Sequence, residues 1–343
     1  MAAARKLKRL AWALVGLAVF SALAWTVLWN LAAARSEKTV EAWIAREKGF
    51  GRIWFCPERT IQGFPFAIEM TCAKPRFDGM IFGRRFTGGL GGFRATAVVF
   101  HPTSVTARLG APFAVSAEDK NAHLELSWSD LQLVLDGLPQ QIWHVTIHAD
   151  KLAWRGTSQE FGALAGNAER LSGEATNHAT GGAYDFNINI DAARLPEVDR
   201  IFGADLPADI GVRGTVTQAG FDPQLTLPQN MDRWRAAGGH VDFAELNLTH
   251  GPTKFTAHGS LGLDDLHRVE GKLDTESYGL APLLIRLGVN PMLVSAGTLL
   301  SGLLSGTSSS HTAPDALLLP IGFEDGFLSV GSAQTSIRLP ALY

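Results

Sequence analysis

A mainly β domain held behind one membrane helix is the fold this sequence predicts, and three observations predict it. An uncharged run from Leu10 to Ala34 opens the chain, apolar and polar residues then alternate with period two along most of its length, and helical periodicity is scarce. The expected architecture is an N-terminal transmembrane helix followed by a long, curved, mostly antiparallel sheet, a half-pipe or an open barrel, with a few short helices.

The helix comes first. Twenty-five residues rise about 37 Å, enough for a hydrocarbon core of about 30 Å. Arg5, Lys6, Lys8 and Arg9 precede the run with no acid among them, which holds residues 1–9 as a cytoplasmic stub and sends the rest across the membrane. Ala32, Ala33 and Ala34 offer the rival reading of a cleaved signal peptide. The run exceeds the about 7–15 residues of a signal h-region, however, and Trp12, Trp25 and Trp29 lie toward its two ends as interfacial aromatics do. Residues 10–34 are therefore expected to be a retained inner-membrane anchor. From Ser36 to Lys48, Val40, Trp43 and Ile44 share one helical face, so 35–49 is expected to extend the helix beyond the bilayer until Gly49. Residues 50–343 would then be an exported, periplasmic β-rich domain with room for a helical insert at 280–304.

The strands follow. Phe64, Phe66, Ile68, Met70 and Cys72 alternate with Pro65, Ala67, Glu69 and Thr71, the pattern of a strand with one buried face. The same beat returns at Leu124 to Trp128, Leu131 to Leu135, Trp143 to Ile147 and Tyr184 to Ile190. It continues at Ile210 to Val216, Phe255 to Leu263, Leu328 to Val330 and Ile337 to Leu339. Gly88 to Gly92, Gly181-Gly182, Gly238-Gly239 and Asp325-Gly326 are expected to be the turns between hairpin strands. The pattern amounts to about 14–17 strands, and an open sheet of 14 would extend roughly 65 Å. Short helices are expected at Pro196 to Phe202 and Pro228 to Ala237, and a longer, nearly uncharged one from Leu280 to Leu304, interrupted at Asn290-Pro291.

Composition narrows the partners. The chain of 343 residues is 46% apolar, so a substantial core is affordable, and without its four N-terminal basic residues its formal charge falls from −3 to −7. No Lys/Arg stripe tracks a phosphate backbone, which argues against nucleic acid. Cys56 and Cys72 are the only cysteines, and an oxidising compartment favours their pairing, worth roughly 3 kcal/mol; two small buried thiols are the alternative.

Trp54 and Cys56, then Gly63-Phe64-Pro65-Phe66 and Cys72, resemble the opening signature of an uncharacterised bacterial envelope family, the domain of unknown function numbered twenty-one twenty-five. Phe323, Asp325-Gly326, Leu328, Gly331 and Leu339-Pro340 are similar to its C-terminal pattern. More loosely, an anchor, a Gly-Phe-Pro strand and many alternating strands resemble AsmA-like proteins and their bridge-like lipid-transfer relatives. That resemblance implies a groove for acyl chains and transfers no catalytic residue.

Chemistry is sparse. His144 and His148 have helical metal-pair spacing but sit in a strand pattern, where they lie about 13 Å apart. Asp264-Asp265 and Asp325-Gly326 lack calcium-loop spacing and are expected to be turns. There is no Gly-x-Ser-x-Gly, the glycines at 88–92 lack the lysine of a phosphate loop, and His178, His240 and His250 are expected to be scattered. No metal, cofactor or catalytic residue is assigned. The leading expectation is a membrane-tethered, non-enzymatic protein that binds or conducts the acyl chains of phospholipid or another lipid. Its groove would be lined by Phe64, Phe66, Ile68, Leu124, Leu126, Phe186, Ile188, Ile190, Phe255 and Leu261. An envelope scaffold with a closed β core that holds partners by strand addition is the alternative, and an exported hydrolase without a motif is the third.

Overall fold

The computed structural model describes residues 2–81, 84–118, 122–138, 141–158, 162–178, 182–196, 199, 205–220, 222, 225–279, 317–318, 320–331 and 333–343. The expected helix at 280–304 lies outside these residues, as does most of the one expected at Pro196 to Phe202. Helix α1 runs unbroken from Ala2–Gly49, so the apolar run and the extension form one rod of about 72 Å. Helix α2, Leu227–Ala236, starts on a capping box in which Thr226 and Gln229 satisfy each other's backbone N–H groups.

The remainder is strand: β1 Arg52–Phe55, β2 Thr60–Gln62, β3 Ala67–Ala73, β4 Arg76–Ile81, β5 Arg84–Val98, β6 His101–Ala117, β7 Ala122–Ser127, β8 Asp130–Asp136, β9 His144–Ser158 and β10 Gly162–Asn177. After these come β11 Tyr184–Ala193, β12 Ala208–Val216, β13 Val241–His250, β14 Thr253–Leu263, β15 Val269–Tyr278, β16 Leu317–Leu318, β17 Ile321–Glu324, β18 Phe327–Val330 and β19 Ala333–Arg338. Every pairing is antiparallel. Strands β3 and β4 share the flank of β5, and β7 and β8 fill one lane between β6 and β9. With β1/β2 and β16/β17 also arranged end to end, the described strands make a single curved sheet of 15 lanes, about 67 Å along its arc.

Register assigns the two faces. One row of directly opposed residues runs Met70, Ala95, Ala107, Leu133, Ile147, Gly173, Ile188, Val212, Leu246 and Ala257, crossing from β3 to β14. Its neighbour on the other face, Thr71, Arg94, Arg108, Gln132, His148, Ser172, Asn189, Gly211, Asn247 and Thr256, is polar at every position but Gly211. This is the period-two alternation expressed across neighbouring strands rather than along one.

Two expectations are corrected. Residues Gly88 to Gly92 do not form a hairpin turn; they lie inside β5, where the register with β6 shifts between Leu90 and Gly92. That bulge makes Leu90 and Phe93, an odd number of positions apart, line the same cavity against α1. The strand expected from Phe64 begins instead at Ala67, because the N–H groups of Phe66 and Ala67 both turn back onto the Gly63 carbonyl.

Candidate functional site

The apolar face is the candidate site, and it is unlike a closed core. Most of its large side chains are only partly buried, Ile188 keeping 38% of its surface while Leu273 keeps 7%, and none of the described large side chains is fully enclosed. The fully buried apolar residues are mostly alanines, such as Ala149, Ala168, Ala193 and Ala208. Glycines on this face make room for their neighbours: a Cβ at Gly173 would sit 2.9 Å from Ile147 Cγ2 and 3.6 Å from Ile188 Cγ1.

Of the residues expected to line a groove, Ile68, Phe186, Ile188, Ile190, Phe255 and Leu261 all fall on this face by register. Leu124 lines a cavity of about 490 Å³ with Val115, Trp154 and Leu164, and Leu126 pairs with Phe113 and Trp154. Phe64 and Phe66 do not join them; they stand at the rim, 51% and 63% exposed, on the turn before β3. Phe93, Leu109 and the α1 side chains at the mouth escaped sequence reasoning. In β5 and β6 small residues such as Ala95, Ala97, Thr96 and Thr106 dilute the alternation that would have marked them.

Helix α1 crosses the face at the β3–β6 end. Its Val40, Trp43 and Ile44 meet Met70, Cys72, Leu90, Phe93 and Leu109 around a cavity of about 720 Å³. A second cavity of about 480 Å³ adjoins Trp43, Trp54, Phe77, Phe113 and Val115, and is bounded across the curve by Leu225 and Leu227 at the start of α2. Both volumes fall in the range of roughly 300–1,000 Å³ common for sites that bury small apolar ligands. Tilted ring pairs build the wall, with Trp43 and Trp54 at 5.4 Å and Trp54 and Phe77 at 4.8 Å between centroids. The Cys56 and Cys72 sulfurs are bonded across 16 residues, fixing the segment after β1 to β3 beside this cavity.

Ion pairs hold the helix there, Arg59 reaching Glu41 at 3.2 Å and a more buried pair forming at Glu47. Arg52 Nε and Nη2 donate to Glu47 Oε2 and Oε1 at 2.6 and 2.9 Å, and Trp54 Nε1 adds a third donor at 3.3 Å. The Arg52 hydrogen bonds hold the Glu47 carboxyl below the usual range despite burial that leaves the residue 7% exposed. Because the folded pKa is lowered, the pair stabilises fully above the unfolded Glu value of about 4.3 and is lost as pH falls through the folded value. Glu47→Gln should cost about 2 kcal/mol at neutral pH, and thermal melts of the two proteins should converge in acid.

The opposite face carries solvated pairs, Arg155 with Glu125, Arg213 with Glu245 and His144 with Asp136. His178, His240 and His250 each engage a different carboxylate, Asp185, Asp242 and Asp199. Among the described residues, no three His, Cys, Asp or Glu side chains are placed to hold a metal.

These features span most of the chain, and so does a family match. The model of the family described as an uncharacterized protein conserved in bacteria (DUF2125) covers residues 29–336. The chain belongs to this family. The match takes in the C-terminal end of the apolar run, the helix extension, the disulfide segment and the sheet as far as the first part of β19. A search of curated proteins found no match. The helix from Leu10–Gly49 is long and apolar enough to cross a membrane, consistent with a single-pass anchor.

Proposed function

We propose that this family member is a membrane-tethered protein on the periplasmic side of the bacterial inner membrane, with its N-terminus cytoplasmic, that shelters lipid acyl chains on its apolar sheet face. The observation that carries this is the continuous row from Met70 to Ala257, in which Met70, Leu133, Ile147, Ile188, Val212 and Leu246 stay only partly buried between smaller residues. A soluble protein rarely leaves so extended an apolar surface without a partner. A 16-carbon chain avoids water by roughly 13 kcal/mol whether it lies in the bilayer or in an apolar groove, so transfer between the two is near neutral. The basic stub before Leu10 supports the orientation, and the docking of Val40, Trp43 and Ile44 beside the row gives lipids an entrance where the anchor leaves the bilayer. A kinship with AsmA-like proteins is part of the proposal and rests on the anchor, the Gly63 to Phe66 motif and the alternating strands. The proposal is non-enzymatic.

The test is photo-crosslinking in native membranes from a diazirine side chain at Ile188 or Leu261, followed by lipid mass spectrometry. Lipid adducts at both positions, absent from a probe at Asn189 on the polar face, are the expected result. A single stoichiometric protein adduct with no lipid would replace this proposal with the scaffold.

A further inference from the structure

The β domain touches α1 within the uncharged run itself. Trp25 and Trp29 lie inside the uncharged run, ten and six residues before Arg35, or about 15 and 9 Å along the axis. A hydrocarbon core of about 30 Å centred on that run would place Trp25, expected from its sequence position to be interfacial, well inside the leaflet nearer residue 35 and Trp29 just beneath its boundary. Yet both indoles bind the β domain. Trp25 Nε1 donates to the Pro65 carbonyl at 3.0 Å and Trp29 Nε1 to the Ala67 carbonyl at 2.8 Å. The Trp25 ring stacks on Phe100 at 6.1 Å and the Trp29 ring meets Phe64 edge-on at 5.5 Å. The turns that carry these groups must share the depth of the tryptophans.

Their chemistry suits that depth. Residues 63–67 read Gly-Phe-Pro-Phe-Ala and residues 98–100 Val-Val-Phe, without a charge. Phe64, Phe66 and Phe100 are 51%, 63% and 67% exposed, which in water would be an unexplained cost. Several backbone groups of these turns are already satisfied without water. Phe66 N and Ala67 N donate to Gly63 O, Val99 N donates to Phe66 O, proline has no N–H at 65, and the Pro65 and Ala67 carbonyls are capped by the two indoles. Non-helical backbone at membrane depth is tolerated only when its polar groups are satisfied in this way.

We propose that the turns at 63–67 and 98–100 form a second membrane contact, a prong that enters the leaflet beside α1 and carries Phe64, Phe66 and Phe100 among the acyl chains. The partner is the lipid bilayer, continuous with the surface of the anchor. This rests on the reading of α1 as a membrane span. Anchor and prong together fix the tilt of the sheet, which a single helix could not, and hold its β3–β6 end against the bilayer.

The test uses the full chain in vesicles of phosphatidylethanolamine and phosphatidylglycerol that carry acyl-chain nitroxides. An environment-sensitive fluorescent amino acid replaces Phe66, Phe100, Leu17 in mid-span, or Asn189 on the polar face, one at a time. Quenching of at least about twofold at 66, 100 and 17, with none at 189, is expected for side chains buried several ångströms into the acyl boundary. Quenching at 17 with none at 66 or 100 overturns the prong and leaves the anchor standing. No quenching at 17 overturns both. Positions 66 and 100 lie on different turns, so one variant that fails to fold leaves the other decisive, and an intact Cys56–Cys72 bond reports that each has folded.

Discussion

Gly91→Ala should destabilise the protein by about 3 kcal/mol, whereas Gly92→Ala, one residue away, should change stability by less than about 0.5 kcal/mol. A methyl group at 91 would overlap the carbonyl oxygen of Ala111 in the neighbouring strand, and backbone on both sides of a bulge has nowhere to move. At 92 the nearest atom to an added Cβ is the Cys72 carbonyl oxygen at 3.9 Å, an ordinary contact. In a cooperative melt of the detergent-solubilised chain, the first variant should lose several degrees and the second almost none. Equal melting of the two would mean that the β5–β6 bulge does not carry the load assigned to it. The effect would reach past stability. The bulge turns Leu90 and Phe93 onto one side, and a strand that lost it would rotate half of its apolar residues away from α1.

That bulge also marks where the sequence stops being readable. The anchor is legible because twenty-five uncharged residues have few other uses, and its extension because Val40, Trp43 and Ile44 repeat at helical spacing. Strands β8, β9, β11, β12 and β14 are legible because Leu133, Ile147, Ile188, Val212 and Phe255 alternate with polar residues that face water. Strands β5, β6 and β10 hide themselves. They are long, up to 17 residues in β6, yet they are built from Gly, Ala, Ser and Thr, which local pattern assigns to turns. Those small residues are there because large ones lie over them, as Ile147 and Ile188 lie beside Gly173, and that reason is visible only across strands. Phe64 and Phe66 mislead from the other direction. They continue the period of β3 but belong to a turn, since what organises them is the pair of indoles about 40 positions earlier. The site was therefore readable as a face but not as a place: eight of the ten expected lining residues lie along it, while its mouth depends on a helix-to-sheet contact that no local pattern encodes.

If acyl chains occupy the apolar face, Ile188→Asp should lower lipid occupancy more than about tenfold, with little loss of folding stability. Ile188 stands mid-row between Gly173 and Val212 and keeps 38% of its surface exposed, so its replacement removes contacts with whatever lies in the groove more than with the sheet. Two methylenes displaced from apolar contact cost about 1.6 kcal/mol, already more than the 1.4 that makes a factor of ten, and a desolvated carboxylate adds to it. The introduced acid also supplies its own control. Against acyl chains its neutral form is favoured, so its pKa rises and occupancy should recover as pH falls through that raised value. Asn189→Asp, on the polar face in register with Ser172 and Gly211, should leave lipid occupancy unchanged at every pH. Lipid extracted from purified protein and quantified by mass spectrometry reads both variants. A closed, dry core predicts the reverse pattern. Its Ile188→Asp variant would lose several kcal/mol of folding stability to a buried charge, and no lipid would be present to lose.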